Sequence, residues 1–282
     1  MSKTLYVSDL DGTLLRRDQT LSPFTVDTIN ALVERGMIFS YATARSLVTA
    51  RQVTARLTTN LPVVIYNGSF VVEGATGKRL ISGAFGADEA KEILDDLLSC
   101  GVYPIVYAFV DGVEKFSYVE DKQSRGAHWF NDTRRGDVRD RPLTDAAQLY
   151  AGEIFHLTCI DEPERLLPVY ERYRDRFECI YHKDIYSGEQ WLEIPPRGAT
   201  KAEAILALKS LLGCDRVVCF GDGKNDISMF DIADESYAVA NADEVLKTIA
   251  TDVIGSNEQD GVARWLGENF KIQQKGEHHA NI

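Results

Sequence analysis

The chain has 282 residues and a mass of 31.5 kDa, which exceeds the usual size of one hydrophobic core, so we expect two domains or one domain with a large insertion. Its formal net charge of -12 argues against a nucleic-acid partner, because such surfaces need clustered Lys and Arg. No apolar run reaches the roughly 18 residues that span a membrane, and the five cysteines, without a C-x-x-C pair, predict a cytoplasmic protein with reduced thiols.

The first part of the chain alternates strands with helices. Ser22 is placed to cap a helix that has Pro23 at its first position, and Gly36 follows its end. Strands that alternate with helices predict one parallel sheet. In chain order we predict strands over residues 5–7, 37–41 and 63–66, helices over residues 23–35 and 47–57, and a hairpin over residues 70–81.

The middle of the chain changes character at about residue 85, where strands begin to dominate. Asp111-Gly112 separates two apolar segments and is a strong hairpin signal. This pattern predicts an antiparallel sheet backed by helices. We predict strands over residues 103–110, 113–119, 154–160, 177–186 and 190–194, and helices over residues 127–134 and beyond residue 163.

The alternating order resumes after Pro195-Pro196. Thr200 and Glu203 form a capping-box sequence that predicts the start of a helix ending before Gly213. We further predict strands over residues 216–220 and 237–240, helices over residues 243–250 and from residue 262, and a disordered polar tail from residue 273.

Two stretches of alternating strands and helices therefore flank a segment of different composition. The predicted fold class is α/β, with a Rossmann-like parallel sheet in the core domain and an inserted α+β cap domain. We assign residues 1–83 and 190–282 to the core domain and residues 84–189 to the cap domain.

The ends of the predicted parallel strands carry the residues suited to chemistry, and ligands bind at this edge of such sheets. Two carboxylates a few ångströms apart repel by about 4 kcal/mol at an effective dielectric constant of about 20, so clustered acids need a cation. Oxygen ligands without His or Cys favour Mg²⁺. The residues that follow these strands are Asp9, Asp11, Thr43, Asn67, Asp222 and Asp226.

A calcium-binding loop is the competing interpretation of the acidic turn that begins at Asp9. An EF-hand loop needs Gly at its sixth position and Glu at its twelfth, whereas here Gly12 is fourth and Thr20 is twelfth. The spacing therefore argues against a calcium loop.

A carboxylate beside a bound metal and a phosphate-sized pocket can act as a nucleophile and form an aspartyl-phosphate. Asp9, at the end of its strand, is the candidate for this role. Asp11, two residues on, can protonate the leaving group and then take a proton from the attacking water.

Other residues at the same edge can bind the phosphoryl oxygens and the metal. We predict that the Thr43 hydroxyl, the Lys201 ammonium and backbone N–H groups after Asp9 hold the phosphoryl oxygens. Asp222 would ligate the metal, and Asp226 would bind a metal water or orient Lys201.

These motifs resemble those of the haloacid dehalogenase-like phosphohydrolase superfamily, in its Cof-type subfamily of sugar-phosphate phosphatases. The family's D-x-D-G-T-L supplies the nucleophile and the acid/base, which the resemblance carries onto Asp9 and Asp11, and the main-chain carbonyl of the second Asp is a Mg²⁺ ligand. The family's Thr, Lys and G-D-G-x-N-D correspond to Thr43, Lys201 and residues 221–226. The resemblance implies metal ligation by Asp9, Asp11, Asp222 and Asp226, and phosphate binding by Thr43, Lys201 and Asn225.

The resemblance extends to Asn67 in "YNGS" and to "VANA" and "EQDGVA" in the last third of the chain. We predict that Arg45 and Asn67 bind the substrate or orient the site, and the alternative is that both are ordinary turn residues. The inserted segment is similar to the family's larger cap type, which folds over the site and selects the substrate.

Three further groups of cap residues carry weaker signals. The aromatic residues are predicted to be core rather than pocket, the histidines lack zinc-ligand spacing, and the arginines form a solvated face or recruit an anionic substrate. These groups are Tyr107, Tyr118, Trp129, Phe130 and Tyr186; His128, His156 and His182; and Arg134, Arg135, Arg139 and Arg141.

The sequence therefore predicts a Mg²⁺-dependent phosphatase that hydrolyses a small phosphorylated metabolite, a sugar phosphate, through an aspartyl-phosphate. We expect no nucleic-acid or membrane partner, and a monomer or weak homo-oligomer. A phosphomutase of the same superfamily and a non-catalytic sensor of phosphorylated metabolites are the alternatives.

Overall fold

The computed structural model describes residues 3–58, 61–184 and 187–270. The chain forms two compact units. The first contains the described residues up to Leu80 and from Lys201 onward, and the second is Ile81–Thr200. The predicted tail from residue 273 lies outside the described residues.

The bounds of the elements are as follows. The strands are β1 (Thr4–Ser8), β2 (Ile38–Tyr41), β3 (Pro62–Ile65), β4 (Phe70–Glu73), β5 (Arg79–Ser82), β6 (Ile105–Val110), β7 (Val113–Val119), β8 (Asp140–Leu143), β9 (Glu153–Ile160), β10 (Ile180–Lys183), β11 (Gln190–Ile194), β12 (Arg216–Gly221), β13 (Glu235–Val239) and β14 (Asp252–Ile254). The helices are α1 (Pro23–Glu34), α2 (Leu47–Thr54), α3 (Ala87–Ser99), α4 (Arg125–Asp132), α5 (Pro163–Tyr173), α6 (Lys201–Leu212), α7 (Ile227–Asp231), α8 (Glu244–Ile249) and α9 (Gly261–Asn269).

A parallel sheet forms the centre of the first unit, with strand order β14-β13-β12-β1-β2. The buried strand β1 pairs with β12 on one side and with β2 on the other, so that Val7 lies opposite Cys219 and Ser40. The α/β fold class with a parallel sheet is therefore confirmed. Its consequence for the site is that β1, β2 and β12 end side by side.

Helix α1 begins as the sequence predicts. The Ser22 side chain accepts a hydrogen bond from the backbone N–H of Thr25, and Pro23 occupies the start of the helix, where a missing N–H costs nothing. Gly36 follows with φ +94, a conformation that glycine adopts easily. The helix buries its apolar face, including Ile29.

Strand β3 departs from the prediction of a single parallel sheet in this half. It pairs with β4 in antiparallel register, within a separate three-stranded sheet of order β3-β4-β5. One parallel bridge, between Ala42 and Val64, links β3 to the end of β2.

The second unit contains a six-stranded sheet of order β10-β11-β9-β6-β7-β8. The predicted hairpin joins β6 to β7, and both turn residues have positive φ, 51° at Asp111 and 78° at Gly112. The sheet is antiparallel except that β8 pairs with β7 in parallel. Its core includes Leu97 of α3 and Leu166 of α5, so helices back the sheet as predicted.

The division between the units differs from the predicted domain boundaries at residues 83/84 and 189/190. Along the chain, the boundaries fall between Leu80 and Ile81 and between Thr200 and Lys201. The larger difference concerns β11, which pairs with β9 and with β10 and therefore lies in the sheet of the second unit.

None of the helices in the described ranges combines the length and the apolar composition that crossing a bilayer requires.

Candidate active site

The strand ends of the first unit bring the predicted site residues to one edge of the sheet. Asp9 directly follows β1, and Asp222 directly follows the neighbouring β12. On the other side of β1, Thr43 lies two residues beyond the end of β2. Because parallel strands end on the same edge, these loops meet there.

Lys201 joins two of the acids. Its Nζ donates hydrogen bonds to Oδ1 of Asp9 at 2.6 Å and to Oδ1 of Asp226 at 2.7 Å. The side chains of Lys201 and Asp226 are fully buried, and that of Asp9 is 7% exposed. Lys201 is the first residue of α6, so the start of this helix brings the ammonium to the end of β1.

Asp226 also shapes the loop after β12. Its Oδ2 accepts hydrogen bonds from the backbone N–H groups of Asp222 at 2.9 Å and Gly223 at 3.0 Å. A Cβ at Gly221 would lie 2.7 Å from this oxygen, so the close approach requires glycine. The two oxygens of Asp226 therefore orient both the lysine and the loop.

Burial and neighbouring charges shift the ionisation of this group. Burial raises the pKa of Asp9 well above its usual value, Lys201 offsets part of that rise, and the carboxylates of Asp226, Asp222 and Asp11 add to it. Burial alone would lower the pKa of Lys201, but the carboxylates of Asp226 and Asp9 outweigh it and the pKa is raised. One permanent ammonium therefore faces an excess of carboxylates.

Asp222 is held by the turn that follows Asp11. The Thr13 hydroxyl donates to Oδ1 of Asp222 at 2.8 Å. Gly12 has φ +81, and a Cβ there would lie 2.2 Å from Oδ2 of Asp222, so both the conformation and the contact require glycine. Burial and the nearby Asp226 raise the pKa of Asp222 to about 7, although the Thr13 bond acts against the rise.

The acidic cluster fits the predicted magnesium ion. Asp9, Asp222 and Asp226 each present a carboxylate oxygen, and these oxygens lie within 4.8 Å of one another. Hard oxygen donors suit Mg²⁺, which binds them at about 2.1 Å. Burial and neighbouring carboxylates raise the pKa of Asp9 and of Asp222, and a bound divalent cation would oppose both shifts.

Arg45 forms a bidentate ion pair with Asp11. Its Nε donates to Oδ2 at 2.7 Å and its Nη2 to Oδ1 at 2.6 Å. The same Nη2 donates to Oε1 of Gln19 at 2.8 Å. The sequence prediction gives Arg45 a substrate or orienting role, and this contact with Asp11 is of the orienting kind. Gln19 was not predicted, because no motif marks it.

Thr43, Asn67 and Asn225 form a second group of contacts. Thr43 is fully buried, and its carbonyl accepts a hydrogen bond from the backbone N–H of Asn67 at 2.9 Å. The Asn67 side-chain oxygen accepts from Nδ2 of Asn225 at 3.2 Å. Tyr66 and Asn67 have φ values of 50° and 52°, in the left-handed region that is uncommon for residues other than glycine. The strained turn therefore connects the predicted phosphate-binding residues.

The aromatic residues of the second unit largely follow the prediction that they are core. Tyr107, Tyr118 and Phe130 are buried, whereas Trp129 is 47% exposed. Tyr186 lies outside the described residues.

The arginines and histidines of that unit divide differently. Arg139 is buried and donates to Asp137 at 2.6 Å and to Glu114 at 2.8 Å, so a solvated face is the wrong interpretation for this residue. Across residues 3–58, 61–184 and 187–270, the group of side chains arranged to hold a metal is Asp9 with Asp222 and Asp226, which includes no histidine.

Comparison with protein families gives a match over nearly the whole chain. The model of the haloacid dehalogenase-like hydrolase family matches residues 6–266. This range includes every predicted site residue from Asp9 to Asp226.

Curated relatives match over similar lengths. The 5-amino-6-(5-phospho-D-ribitylamino)uracil phosphatase YitU of Bacillus subtilis is 28% identical over 277 residues, which cover 95% of this chain and 98% of that protein. The HMP-PP phosphatase of Serratia proteamaculans is 28% identical, with 92% of each chain covered. The pyridoxal phosphate phosphatase YbhA of Escherichia coli is 25% identical, with 94% of this chain and 98% of that protein covered.

Solved structures share the architecture. TM0651 from Thermotoga maritima has a TM-score of 0.74 at 25% identity, covering 96% of this chain and 98% of that one. A haloacid dehalogenase-like hydrolase from Bacillus subtilis has a TM-score of 0.77 at 20% identity, covering 95% of this chain and 99% of that one. The second likeness supports the fold alone.

Proposed function

Because the chain belongs to the haloacid dehalogenase-like hydrolase family and is a phosphatase of that family, we propose that it hydrolyses small phosphorylated metabolites, sugar phosphates in particular, through an aspartyl-phosphate. The observation that carries the proposal is the buried Lys201 between Asp9 and Asp226, with Asp222 beside them. This arrangement concentrates charged groups at the edge of the sheet where ligands bind.

In the first half-reaction Asp9 is the nucleophile. Its Oδ1 is fixed by Lys201, and a carboxylate oxygen of Asp9 attacks the phosphorus atom. The new bond joins this oxygen to phosphorus, the bond from phosphorus to the ester oxygen breaks, and Asp11 gives its proton to the departing oxygen. The products are an alcohol and the aspartyl-phosphate.

In the second half-reaction water takes the place of the alcohol. Asp11 accepts a proton from the water, whose oxygen attacks phosphorus, and the bond to Asp9 breaks. Inorganic phosphate leaves and both aspartates return to their first state. One Asp11 oxygen has to face the leaving group, so at least one of its two bonds with Arg45 is replaced when the substrate binds.

The phosphoryl oxygens need donors around the nucleophile. The Lys201 ammonium has three N–H donors, of which two point to Asp9 and Asp226, and we assign the third to a phosphoryl oxygen. The Thr43 hydroxyl and the Asn225 amide serve the same group, and the turn at Asn67 orients them.

Mg²⁺ would be held by Asp9, Asp222 and the main-chain carbonyl of Asp11. The oxygens of Asp226 already accept bonds from Lys201 and from two backbone N–H groups, so we assign Asp226 a contact through water. When bound, the ion would neutralise charge on the phosphoryl group.

The preference for sugar phosphates rests on the Cof-type motifs, and the curated relatives are named as phosphatases. We place the enzyme in the cytoplasm because its five cysteines are free thiols, which fits a reducing compartment. We propose a monomer or weak homo-oligomer.

Phosphate release from a panel of phosphorylated metabolites, with and without Mg²⁺, tests the proposal. We expect turnover that needs Mg²⁺ and that falls by a factor of at least about 10³ in Asp9→Asn, since the nucleophile is lost. Asp27→Asn, an exposed change on α1, is the control and should retain full activity. Full activity of Asp9→Asn would contradict the assignment, and an isomerised sugar phosphate without free phosphate would indicate a mutase.

A further inference from the structure

Asn241, in the segment "VANA", reaches back to the turn that carries the acid/base. It lies two residues beyond the end of β13 and is exposed. Its Nδ2 donates a hydrogen bond to the carbonyl oxygen of Gly12 at 2.8 Å, across 229 positions in the chain. Its Oδ1 accepts from the backbone N–H of Asn257 at 3.0 Å.

The turn after Asp9 is a compact unit. The carbonyl of Leu10 accepts hydrogen bonds from the N–H groups of Leu14 at 3.0 Å and Leu15 at 2.8 Å, which closes the chain around Asp11. Between Asp11 and Leu14 the chain turns at Gly12, whose Cα lies close to the side chain of Asp222. The Gly12 carbonyl is the point at which Asn241 holds the turn.

The far end of the turn is held by the same C-terminal segment. Nδ2 of Asn257 donates to the carbonyl of Leu15 at 2.9 Å. Arg16 donates to both oxygens of Asp260 at 3.1 Å. The backbone N–H of Asn257 is hydrogen-bonded to Asn241. The C-terminal segment therefore binds the turn both at Gly12 and at Leu15.

We infer that Asn241 is a positioning residue for Asp11, an inference that rests on the proposed function. With the Gly12 carbonyl fixed, the turn presents Asp11 in one direction toward the ester oxygen. Without the amide, the turn can rotate and proton transfer slows. The loss is greatest for a poor leaving group, which cannot depart without a proton.

Asn30 provides a matched control. Its Nδ2 donates to the carbonyl of Arg56 at 2.9 Å, and its Oδ1 accepts from the N–H of Thr58 at 2.7 Å. The pattern of one donated and one accepted bond is that of Asn241, but both bonds go to the segment after α2. Asn30 is also more buried than Asn241, so its removal should cost at least as much stability.

The kinetic test compares Asn241→Ala with Asn30→Ala. The substrates are p-nitrophenyl phosphate, whose leaving group needs little protonation, and the sugar phosphate that the wild type turns over fastest. Asn241→Ala should lower kcat/KM about 10- to 100-fold for the sugar phosphate and much less for the aryl ester, because a misplaced acid affects the poor leaving group. Asn30→Ala should change neither by more than about twofold.

A double mutant ties the effect to the acid/base. In an Asp11→Asn background, Asn241→Ala should lower kcat/KM by less than about twofold, since residues that act through one group are not additive. Equal losses on both substrates, or a full further loss in the double mutant, would overturn the inference.

Hydrogen exchange supplies a readout that does not depend on activity. The amides of Leu14 and Leu15 should exchange faster in Asn241→Ala and at the wild-type rate in Asn30→Ala. If the wild type hydrolyses no phosphate ester, the proposed function fails. If the exchange of these amides is unchanged in Asn241→Ala, the positioning role fails whatever the activity.

Discussion

Asp9 in the first unit and Asp137 in the second have pKa values that are shifted in opposite directions. In the first unit, burial and neighbouring carboxylates raise the pKa of Asp9, even though Lys201 lies 2.6 Å away. In the second unit, hydrogen bonds from the buried Arg139 lower the pKa of Asp137. Burial and the neighbouring carboxylates disfavour ionisation of Asp9, whereas the ion pair with Arg139 favours ionisation of Asp137.

The direction of the shift separates two uses of a carboxylate. A lowered pKa means that the fold stabilises the charged form, so an ion pair such as Asp137 with Arg139 contributes to stability. A raised pKa means that the charged form of the carboxyl group costs stability. Carboxyl groups with such shifts cluster at functional sites. The raised pKa values of Asp9 and Asp222 fit the ligand-binding role that we propose for these acids.

Removal of the buried ammonium of Lys201 should have the largest effect. Lys201→Met leaves the carboxylates of Asp9 and Asp226 buried without a cation, which should cost about 3–5 kcal/mol of unfolding free energy and abolish activity. Urea unfolding at pH 8 and pH 5 measures it. The loss should be smaller at pH 5, where the orphaned carboxylates can protonate, and an equal loss at both pH values would contradict the account.

Removal of an acid should have opposite effects in the two units. Without Mg²⁺, Asp222→Asn should raise the melting temperature, because a neutral amide avoids the cost of a buried charge and the repulsion from Asp226. Activity and stabilisation by Mg²⁺ should be lost. Asp137→Asn should lower the melting temperature, because Arg139 keeps its bond to Glu114 but loses the ion pair with Asp137. Thermal melts in a chelator and in Mg²⁺ compare the two, and a shared sign would break the comparison.

The pH dependence of stability should distinguish buried His156, in the second unit, from Asp222, in the first. Burial lowers the pKa of His156, so its contribution is complete above the unfolded value of about 6.5 and is lost as pH falls toward the folded value. Asp222 acts in the opposite direction, because its raised pKa makes the metal-free protein lose stability as pH rises toward about 7.

Unfolding free energies between pH 8 and pH 5 test this pair. His156→Gln should remove the loss on the acid side, and Asp222→Asn should remove the loss on the alkaline side, both in a chelator. An unchanged pH profile in either variant would show that the group does not carry the dependence assigned to it.

The smallest expected effect concerns two residues with left-handed backbone. Asn67→Gly keeps the conformation but removes the contact with Asn225, so activity should fall about 3- to 10-fold with little change in stability. Asp111→Gly, in the hairpin of the second unit, should change neither. Kinetics and urea midpoints compare them, and an equal activity loss in both would remove the role of Asn67.

The local sequence pattern is sufficient to predict which residues follow the strands and lie at the same edge of the sheet. Asp9, Thr43 and Asp222 could be located because a parallel sheet brings strand ends to one edge. Contacts made by long side chains could not be located. The sequence predicts a substrate-binding or orienting role for Arg45 but not its contact with Asp11, 34 positions away, and Asn241 meets Gly12 only through the folded topology.

Two kinds of element were missed. Helix α3 buries Ala90, Ile93, Leu94 and Leu97 at helical spacing, a signal that was present but lay in a segment where strands were expected. Strand β14 has three residues, and β8 contains Pro142 at the edge of its sheet. Such short strands are set by their neighbours and leave little periodicity to detect.

The ion pair of Asp9 with Lys201 also has a consequence for protein synthesis. The two residues are 192 positions apart, and β12, the neighbour of β1, is made later still. A ribosome therefore releases Asp9 from its tunnel long before Lys201, which binds it, has been translated. Chains that terminate early, within the inserted unit, contain Asp9 and Asp11 but lack Lys201, Asp222 and Asp226.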